Sequence, residues 1–210
     1  MSEHSLTRGI FTVRSIGMRA SGVKAKVERA ALELFAANGV DGVSIGEIAD
    51  AAGVSQGALY RHYKSKEDLA WTLFATAYLR TGAELDELAA RHRGFPARVG
   101  AMVEHFCALY DKDPALFRFM LIAQHGFLPR IPRHERTPVD AVADVVEDAV
   151  RAAEVATLDP LAGGAAILGV ILQTAVFHIY GRLEGALLPR APSLARAAIA
   201  AVEALGQSPA

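Results

Sequence analysis

Hydrophobic residues recur every three or four positions along most of the chain, and no stretch alternates strictly between apolar and polar residues. This spacing is typical of amphipathic helices, whereas a half-buried strand would alternate. Ala, Leu, Glu and Arg, which favour helices, are abundant throughout. The sequence therefore predicts an all-α fold.

The first three predicted helices are short and marked by their ends. Residues 23–38 carry one apolar stripe and precede a glycine, which suits a helix end. Ser44 and Glu47 have the spacing of a capping box and predict the start of a second helix. Gly53 ends that helix, and Ser55 caps a third helix two residues later.

A larger group of helices follows. Ser65 and Asp68 resemble a second capping box, and a Pro- and Arg-rich loop at residues 127–138 interrupts the later helices. The pattern predicts an N-terminal three-helix unit at residues 21–66 and a helical bundle at residues 67–210. Beyond the first three helices, we expect helices at about residues 65–92, 96–111, 114–124, 139–156, 160–184 and 192–206.

Residues 1–20 show little helical periodicity. They are expected to form a disordered arm, or Met18 is the true translation start. A basic arm of this kind can contact phosphate or a narrow minor groove. Its basic residues are Arg8, Arg14 and Arg19.

Composition narrows the class of protein. The chain has 210 residues, of which 52% are hydrophobic and 21% charged, and this excludes intrinsic disorder. The net charge is only −1, but residues 1–66 carry +3 and residues 67–210 carry −4. The single cysteine, Cys107, excludes an internal disulfide and a Cys-based zinc cluster. No signal peptide is evident, so we expect a cytoplasmic protein.

Enzyme signatures are missing from the sequence. There is no Gly-rich phosphate loop and no Gly-x-Ser-x-Gly elbow. The seven histidines are scattered without acidic partners at metal-ligand spacing. We therefore expect no catalytic residues, no metal and no cofactor.

Residues 161–181 contain no charged residue and approach the length of a membrane span. Polar residues interrupt the segment, and much of the remainder is Gly and Ala. We expect a helix buried within the bundle or at a subunit interface instead. The interrupting residues are Gln173, Thr174 and His178.

Two short helices joined by a Gly-containing turn form a helix-turn-helix pattern. No acidic residue lies between Asp50 and Glu67, whereas three basic residues do. A plain structural pair usually mixes both charges on its surface, so this pattern favours a helix placed beside DNA phosphates. With Leu59 and Tyr63 turned inward, the residues expected outside are Gln56, Gly57, Ala58, Tyr60, Arg61 and His62.

Residues 43–69, VSIGEIADAAGVSQGALYRHYKSKEDL, resemble the DNA-binding signature of the tetracycline-repressor (TetR) family, and AALELFAANG at residues 30–39 resembles its first helix. The resemblance implies a three-helix DNA-binding unit, a connecting fourth helix and an effector-binding, dimerising bundle. It also implies a homodimeric repressor that binds a palindromic double-stranded operator and is released by a small hydrophobic effector. The alternative is a helical small-molecule-binding protein whose DNA-binding unit has lost its function.

Matched positions imply the DNA contacts. Gln56, Ala58 and Arg61 would face base edges, since these side chains suit adenine, thymine and guanine. Tyr60, His62 and Lys66 would contact phosphate, and the starts of the second and third helices would assist. At the second helix start, hydrophobic Ile45 and Gly46 replace more polar residues of many relatives. The implied contacts are Ser44, Ser55, Gln56, Gly57, Ala58, Tyr60, Arg61, His62 and Lys66.

A twofold dimer is expected through the helices at about residues 139–156 and 160–184. A single DNA-binding unit reads few base pairs, so specificity calls for two half-sites. Small residues in the second helix permit close approach, and its branched residues supply apolar area; burial within one subunit is the alternative. These residues are Gly163, Gly164, Ala165, Gly169, Ile167, Leu168 and Ile171.

An effector pocket is expected inside the bundle, where polar residues interrupt apolar helices. Plain core packing would give the same pattern. The sequence shows no cluster of Lys or Arg among these residues, which favours a neutral or cationic hydrophobic effector. The candidate effector-binding residues are His105, Tyr110, Phe117, Met120, Gln124, Phe127, Gln173, Thr174, Phe177 and His178.

Overall fold

The computed structural model describes residues 22–206, which form nine α-helices and no strand. The predicted all-α class is confirmed, while the expected arm at residues 1–20 and its alternative start at Met18 lie outside the described residues. The helices are α1 (Val23–Asn38), α2 (Ile45–Ala52), α3 (Gln56–Tyr60), α4 (Lys66–Arg91), α5 (Phe95–Lys112), α6 (Pro114–Phe127), α7 (Pro138–Arg151), α8 (Pro160–Ile179) and α9 (Ala191–Leu205).

Two capping residues that the sequence predicts, Ser44 and Ser65, stand at the starts of α2 and α4. The Ser44 hydroxyl accepts from the Glu47 amide at 3.2 Å, and the Glu47 carboxylate accepts from the Ser44 amide at 2.7 Å. Ser65 likewise accepts from the Asp68 amide at 3.1 Å. The expectation of a full capping box at this second site is wrong, because the Asp68 carboxylate accepts from the Lys64 amide and not from the Ser65 amide.

Three helices are shorter than expected. Helix α3 ends at Tyr60, where the chain tightens into a turn closed by a 2.9 Å bond from the His62 amide to the Leu59 carbonyl. Helix α7 stops before Ala153, which has a φ of 55°. Helix α8 stops before Gly181, which has a φ of 65°. These left-handed residues cannot continue a right-handed helix.

The first of two hydrophobic cores lies among α1, α2, α3 and the first half of α4. Its largest side chains are fully buried, so it provides the apolar burial that holds these short helices together. Helix α6 completes this core, because Phe119 stacks on Phe35 with ring centroids 5.8 Å apart. The fully buried residues from the first four helices include Phe35, Ile48, Leu59, Leu69 and Phe74.

The second core lies in the bundle, where α5 packs against α7, α8 and α9. Met102 and Ile167 are fully buried at its centre. Phe117 of α6 is also buried here and meets Phe106 edge to face at 6.4 Å. Helix α6 therefore contributes to both cores from positions two residues apart.

Polar and aromatic contacts fix α6 at each end. Asp113 caps the helix by accepting from the Leu116 amide at 3.1 Å, and its other oxygen lies 2.8 Å from the Arg29 guanidinium of α1. At the far end, Phe127 packs against Trp71 and Phe74 of α4, with ring centroids 5.8 and 5.5 Å away. Movement of α6 would disturb both α1 and α4.

Candidate DNA-binding surface and effector region

Helix α3 is held against the first core by two residues from its inner side. Leu59 is fully buried, and Tyr63 is only 4% exposed. The Tyr63 hydroxyl donates to the Glu28 carboxylate of α1 at 2.5 Å. Burial, followed by this contact with Glu28, raises the pKa of Tyr63, so the phenol stays protonated. The end of α3 is thus tied to α1.

The outer side of α3 and of the turn after it is open to solvent. Gln56, Gly57, Tyr60, Arg61 and His62 are all exposed, as expected from the sequence. Tyr60 stands out because 52% of this large side chain is exposed. A continuous exposed row of this kind is available to contact DNA.

Ala58 does not lie on this outer surface. Only 7% of the residue is exposed, so the expectation that it faces outward is wrong. Because α3 is only five residues long and packs on both α1 and α2, adjacent positions Ala58 and Leu59 are both buried. Its side chain is not placed to meet a thymine methyl group.

Two helix starts flank the same surface. Ser44 is exposed at the start of α2, and Lys66 begins α4. The pKa of Glu47 is lowered by its bonds to Ser44 and, to a smaller extent, by the charge of Lys66. Ser55, at the start of α3, is exposed as well and accepts from the Ala58 amide at 3.2 Å.

The charges on this surface have no carboxylate partner among the residues that the structure describes. Among residues 22–206, no carboxylate lies within 4.0 Å of the charged atoms of Arg61, Lys64 or Lys66. Some arginines elsewhere do have carboxylate partners; Arg136, for example, bridges Asp86 and Asp144. Unneutralised cations beside exposed polar groups suit phosphate binding.

Gly46 has a role that the sequence analysis missed. A Cβ placed on Gly46 would lie 3.3 Å from the Gln56 amide nitrogen, which is tighter than most such contacts. The missing side chain therefore leaves room for the Gln56 amide between α2 and α3. The sequence shows a glycine at position 46 where many relatives have a more polar residue. The reason for this glycine depends on how α2 packs against α3.

The candidate effector residues do not all come together. Phe117 is buried, whereas Gln173 and Phe177 are exposed on α8, so the expectation that Gln173 is embedded in the bundle is wrong. Phe127 packs in the first core rather than in the bundle. The half-buried candidates are His105, Tyr110, Met120, Gln124, Thr174 and His178.

One group of these candidates forms a cluster between α5, α6 and α8. The Tyr110 ring meets Phe117 and His178 edge to face, at 5.5 and 5.7 Å. Thr174 and Gln124 are not hydrogen-bonded to this cluster, because the side chain of each donates to a backbone carbonyl of its own helix. Cys107 is fully buried, and burial raises the pKa of its thiol to about 11, so it is a poor nucleophile.

Arginines also enter this region, contrary to the sequence expectation. In the described part of the chain, four buried side-chain nitrogens have no hydrogen-bond partner, and all four belong to the bundle helices. Leaving such a group unpaired costs about 1–3 kcal/mol. They are Nε of Arg80, Nε2 of His105, Nε of Arg118 and Nε2 of His178.

A separate cleft of about 360 Å³ lies where α5 meets the end of α7. None of the candidate effector residues lines it. Arg98 pairs with Asp148 across the cleft at 2.9 Å, and the Phe95 amide donates to Glu154 at 2.5 Å. Its polar groups already have partners within the protein.

The outer face of α8 is apolar. By length and mean hydropathy, 1.8 over its best window, α8 could cross a membrane, and 28% of that window is buried within the protein. Leu161 is 59% exposed and Phe177 is 47% exposed. The exposed residues repeat every four positions, which places them on one side of the helix: Leu161, Ala165, Gly169, Gln173 and Phe177.

Helices α7 and α9 both pack against α8, but they differ in the residues that they expose. Helix α9 packs against α8 and exposes mostly small residues, whereas α7 exposes Asp144, Glu147 and Arg151. Gly163 and Gly164, expected at a dimer contact, are buried against Val146 and Ala143 of α7 in the same chain. Ile167 and Ile171 are likewise buried within the chain, while Leu168 is half-buried.

Known proteins resemble the chain in two ways. Residues 29–71 match the sequence profile described as bacterial regulatory proteins, tetR family, which confirms the predicted resemblance. Curated relatives include MftR of Mycobacterium tuberculosis, a transcriptional regulator named for mycofactocin biosynthesis, 37% identical over 76 residues, and the HTH-type transcriptional regulator AcrR of Shigella flexneri, 42% identical over 69 residues. These matches cover 36% and 33% of this chain but only 38% and 32% of the relatives.

The whole fold has a counterpart among solved structures. The fatty acid degradation regulator FadR from Bacillus halodurans superposes with a TM-score of 0.74. The match covers 86% of this chain and 96% of that protein at 15% sequence identity. At that identity the likeness shows a shared fold alone.

Two substitutions separate base contact from phosphate contact. If Arg61 reads a base edge, Arg61→Ala should cost about 1–3 kcal/mol on specific DNA and little on non-specific DNA. If Lys66 binds a phosphate, Lys66→Ala should weaken both and lower the slope of log affinity against log salt by about 1. Fluorescence anisotropy on DNA from upstream of the protein's own gene, at several salt concentrations, measures both effects.

Arg91→Ala is the matched control, since Arg91 is exposed at the opposite end of α4 and pairs with Glu87. It should change neither affinity nor salt slope. If Lys66→Ala altered only the preference among sequences, the phosphate assignment would be refuted.

Proposed function

Through residues 29–71 the chain belongs to the tetR family of bacterial regulatory proteins, and we propose that it is a cytoplasmic, ligand-responsive repressor that binds a palindromic operator as a homodimer. Its role is binding rather than catalysis. Residues 21–66 are the DNA-binding unit, and residues 67–210 bind the effector and the second subunit.

One observation carries the proposal: the exposed side of α3 and its turn combines hydrogen-bonding side chains with cations that have no carboxylate partner among the described residues. Gln56 and Arg61 have the groups needed to read base edges. Tyr60, His62 and Lys66 surround them and supply phosphate contacts. A surface built only for solubility would mix both charges, as the outer face of α7 does.

Dimerisation through α8 and α9 supports the operator proposal. An apolar face that runs the length of α8 is unusual on a monomer, and small residues such as Gly169 let a second helix approach closely. A second copy fits best, because a twofold axis places identical apolar faces together and presents two recognition helices to two half-sites. This proposal keeps α8, which the sequence predicts at the dimer interface, and replaces α7 with α9 as the second helix of that interface.

Effector response is proposed to pass through α6. Phe117 lies beside the Tyr110–His178 cluster, and Phe119 lies in the core that carries α3. A ligand that shifts α6 would change how α1 packs. This would change the distance between the α3 helices of the two subunits. A ligand with different affinity for the two arrangements shifts the DNA-binding equilibrium.

DNA titration tests the function. Labelled DNA from the region upstream of the protein's own gene should bind at least about 10³-fold more tightly than shuffled DNA of equal length and composition. Affinity for both should fall as salt rises, because phosphate contacts release counterions. Equal affinity for the two DNAs, or no binding, would favour the helical small-molecule-binding protein with a non-functional DNA-binding unit.

The dimer face is tested by placing a charge on it. Leu161→Glu combined with Phe177→Glu should convert the protein to a monomer at micromolar concentration, because two carboxylates would be buried at the interface. Analytical ultracentrifugation measures the change. Val139→Glu is the matched control, since Val139 is a 39% exposed apolar residue on α7, outside the proposed α8–α9 interface. A wild-type protein that sediments only as a monomer would contradict the proposed interface.

A further inference from the structure

We propose that the effector carries an anionic group, of the carboxylate kind, which binds Arg118 together with Tyr110 and His178. The inference rests on the proposed effector response and names the chemical class of the ligand. It replaces the neutral or cationic effector that the sequence favours.

Arg118 is the central element of this site. Its Nε is shielded from solvent and has no hydrogen-bond partner in the part of the chain that the structure describes. None of the carboxylates within residues 22–206 lies within 4.0 Å of its guanidinium nitrogens. A partly buried guanidinium normally has such a partner, and a carboxylate can accept two parallel hydrogen bonds from it.

Two further donors lie near the helix position of Arg118. The ring of Phe117, the residue before Arg118, lies 5.5 Å from the ring of Tyr110. His178 has a shielded Nε2 without a partner among the described residues, and its ring lies 5.7 Å from the ring of Tyr110. Burial and then Asp111 raise the pKa of Tyr110, and the Arg118 charge opposes that rise. A guanidinium, an imidazole and a phenol can all donate to an oxygen acceptor.

The neighbouring carboxylate does not fill this role. Asp111 accepts from the Leu187 amide through one oxygen and from the Leu188 amide through the other, each at 2.8 Å. These bonds hold the turn before α9. Both Asp111 oxygens are thereby engaged, and neither lies within 4.0 Å of the Arg118 guanidinium, which can still pair with a ligand.

The second set of shielded nitrogens, on α4 and α5, provides a contrast. Glu84 lies 3.6 Å from Nε of Arg80 and 3.3 Å from Nε2 of His105. Although neither contact has hydrogen-bond geometry, the carboxylate neutralises the local charge. Within residues 22–206, a carboxylate thus lies within 4.0 Å of the cations of one cluster, whereas none lies that close to Arg118.

The position of Arg118 connects the anion to the fold. Arg118 lies between Phe117, which is buried in the bundle core, and Phe119, which is buried in the core beneath α3. The apolar part of a ligand would contact Phe117 and Phe106. An anion bound to Arg118 would therefore act on a helix that contributes to both cores, as α4 also does.

Calorimetry on the full chain tests the proposal with matched probes. The probes are straight-chain and phenyl-substituted carboxylates of four to twelve carbons and the primary alcohols of the same skeletons. At least one carboxylate should bind, and its alcohol should bind at least about tenfold more weakly, since a charge-assisted bond is lost. Arg118→Gln should remove the preference for the carboxylate, and Arg118→Lys should retain part of it because the charge remains.

Arg133→Gln is the control, because Arg133 is exposed on the loop after α6. Circular dichroism checks that each variant folds. If Arg118→Gln does not fold, His178→Gln serves in its place and should weaken carboxylate binding several-fold. The inference is overturned if no carboxylate binds at 1 mM, if alcohols bind equally well, or if the variants at these two positions keep full affinity.

The DNA titration separates this inference from the proposed function. Wild-type protein that binds upstream DNA specifically but binds no carboxylate overturns the anionic effector alone. Protein that binds carboxylates through Arg118 but does not distinguish upstream from shuffled DNA overturns the repressor and leaves the anion site standing.

Discussion

Burial of α6 in two separate cores is the constraint on which the rest of the structure depends. Phe119 stacks on Phe35 beneath the recognition helix, and Phe117 packs with Phe106 and Tyr110 in the bundle. The three N-terminal helices are too short to be stable alone, since helices of this length gain their stability from packing. The same contacts that complete their core therefore attach them to the bundle.

This arrangement gives the two surfaces different tasks. The turn after α3 keeps exposed cations without carboxylate partners in the described chain, so their charge is available to DNA phosphates. The bundle keeps donors such as Arg118 beside apolar rings, where an unpaired group is costly and a complementary ligand is correspondingly stabilising. Because α6 touches both regions, ligand binding and DNA binding can be coupled without a direct contact between the two sites.

The sequence predicts the local features well and the long-range ones less well. The Ser44–Glu47 box, the helix order and the exposed positions of α3 follow from residue spacing, since each depends on neighbours within four residues. Residue spacing alone misplaces Ala58, because the burial of Ala58 depends on how a five-residue helix packs on α1 and α2. Periodicity along one helix does not show which side another helix covers, so it wrongly predicts a buried Gln173 and does not reveal Arg118.

Equilibrium unfolding tests the shared core most directly. Trp71, the only tryptophan in the chain, reports on the N-terminal core through fluorescence, and circular dichroism at 222 nm reports on all helices. In urea the two transitions should have the same midpoint, and Phe119→Ala, which should cost about 3–5 kcal/mol, should lower both together. A Trp71 transition that precedes the loss of helix, with only the first shifted by Phe119→Ala, would contradict the account.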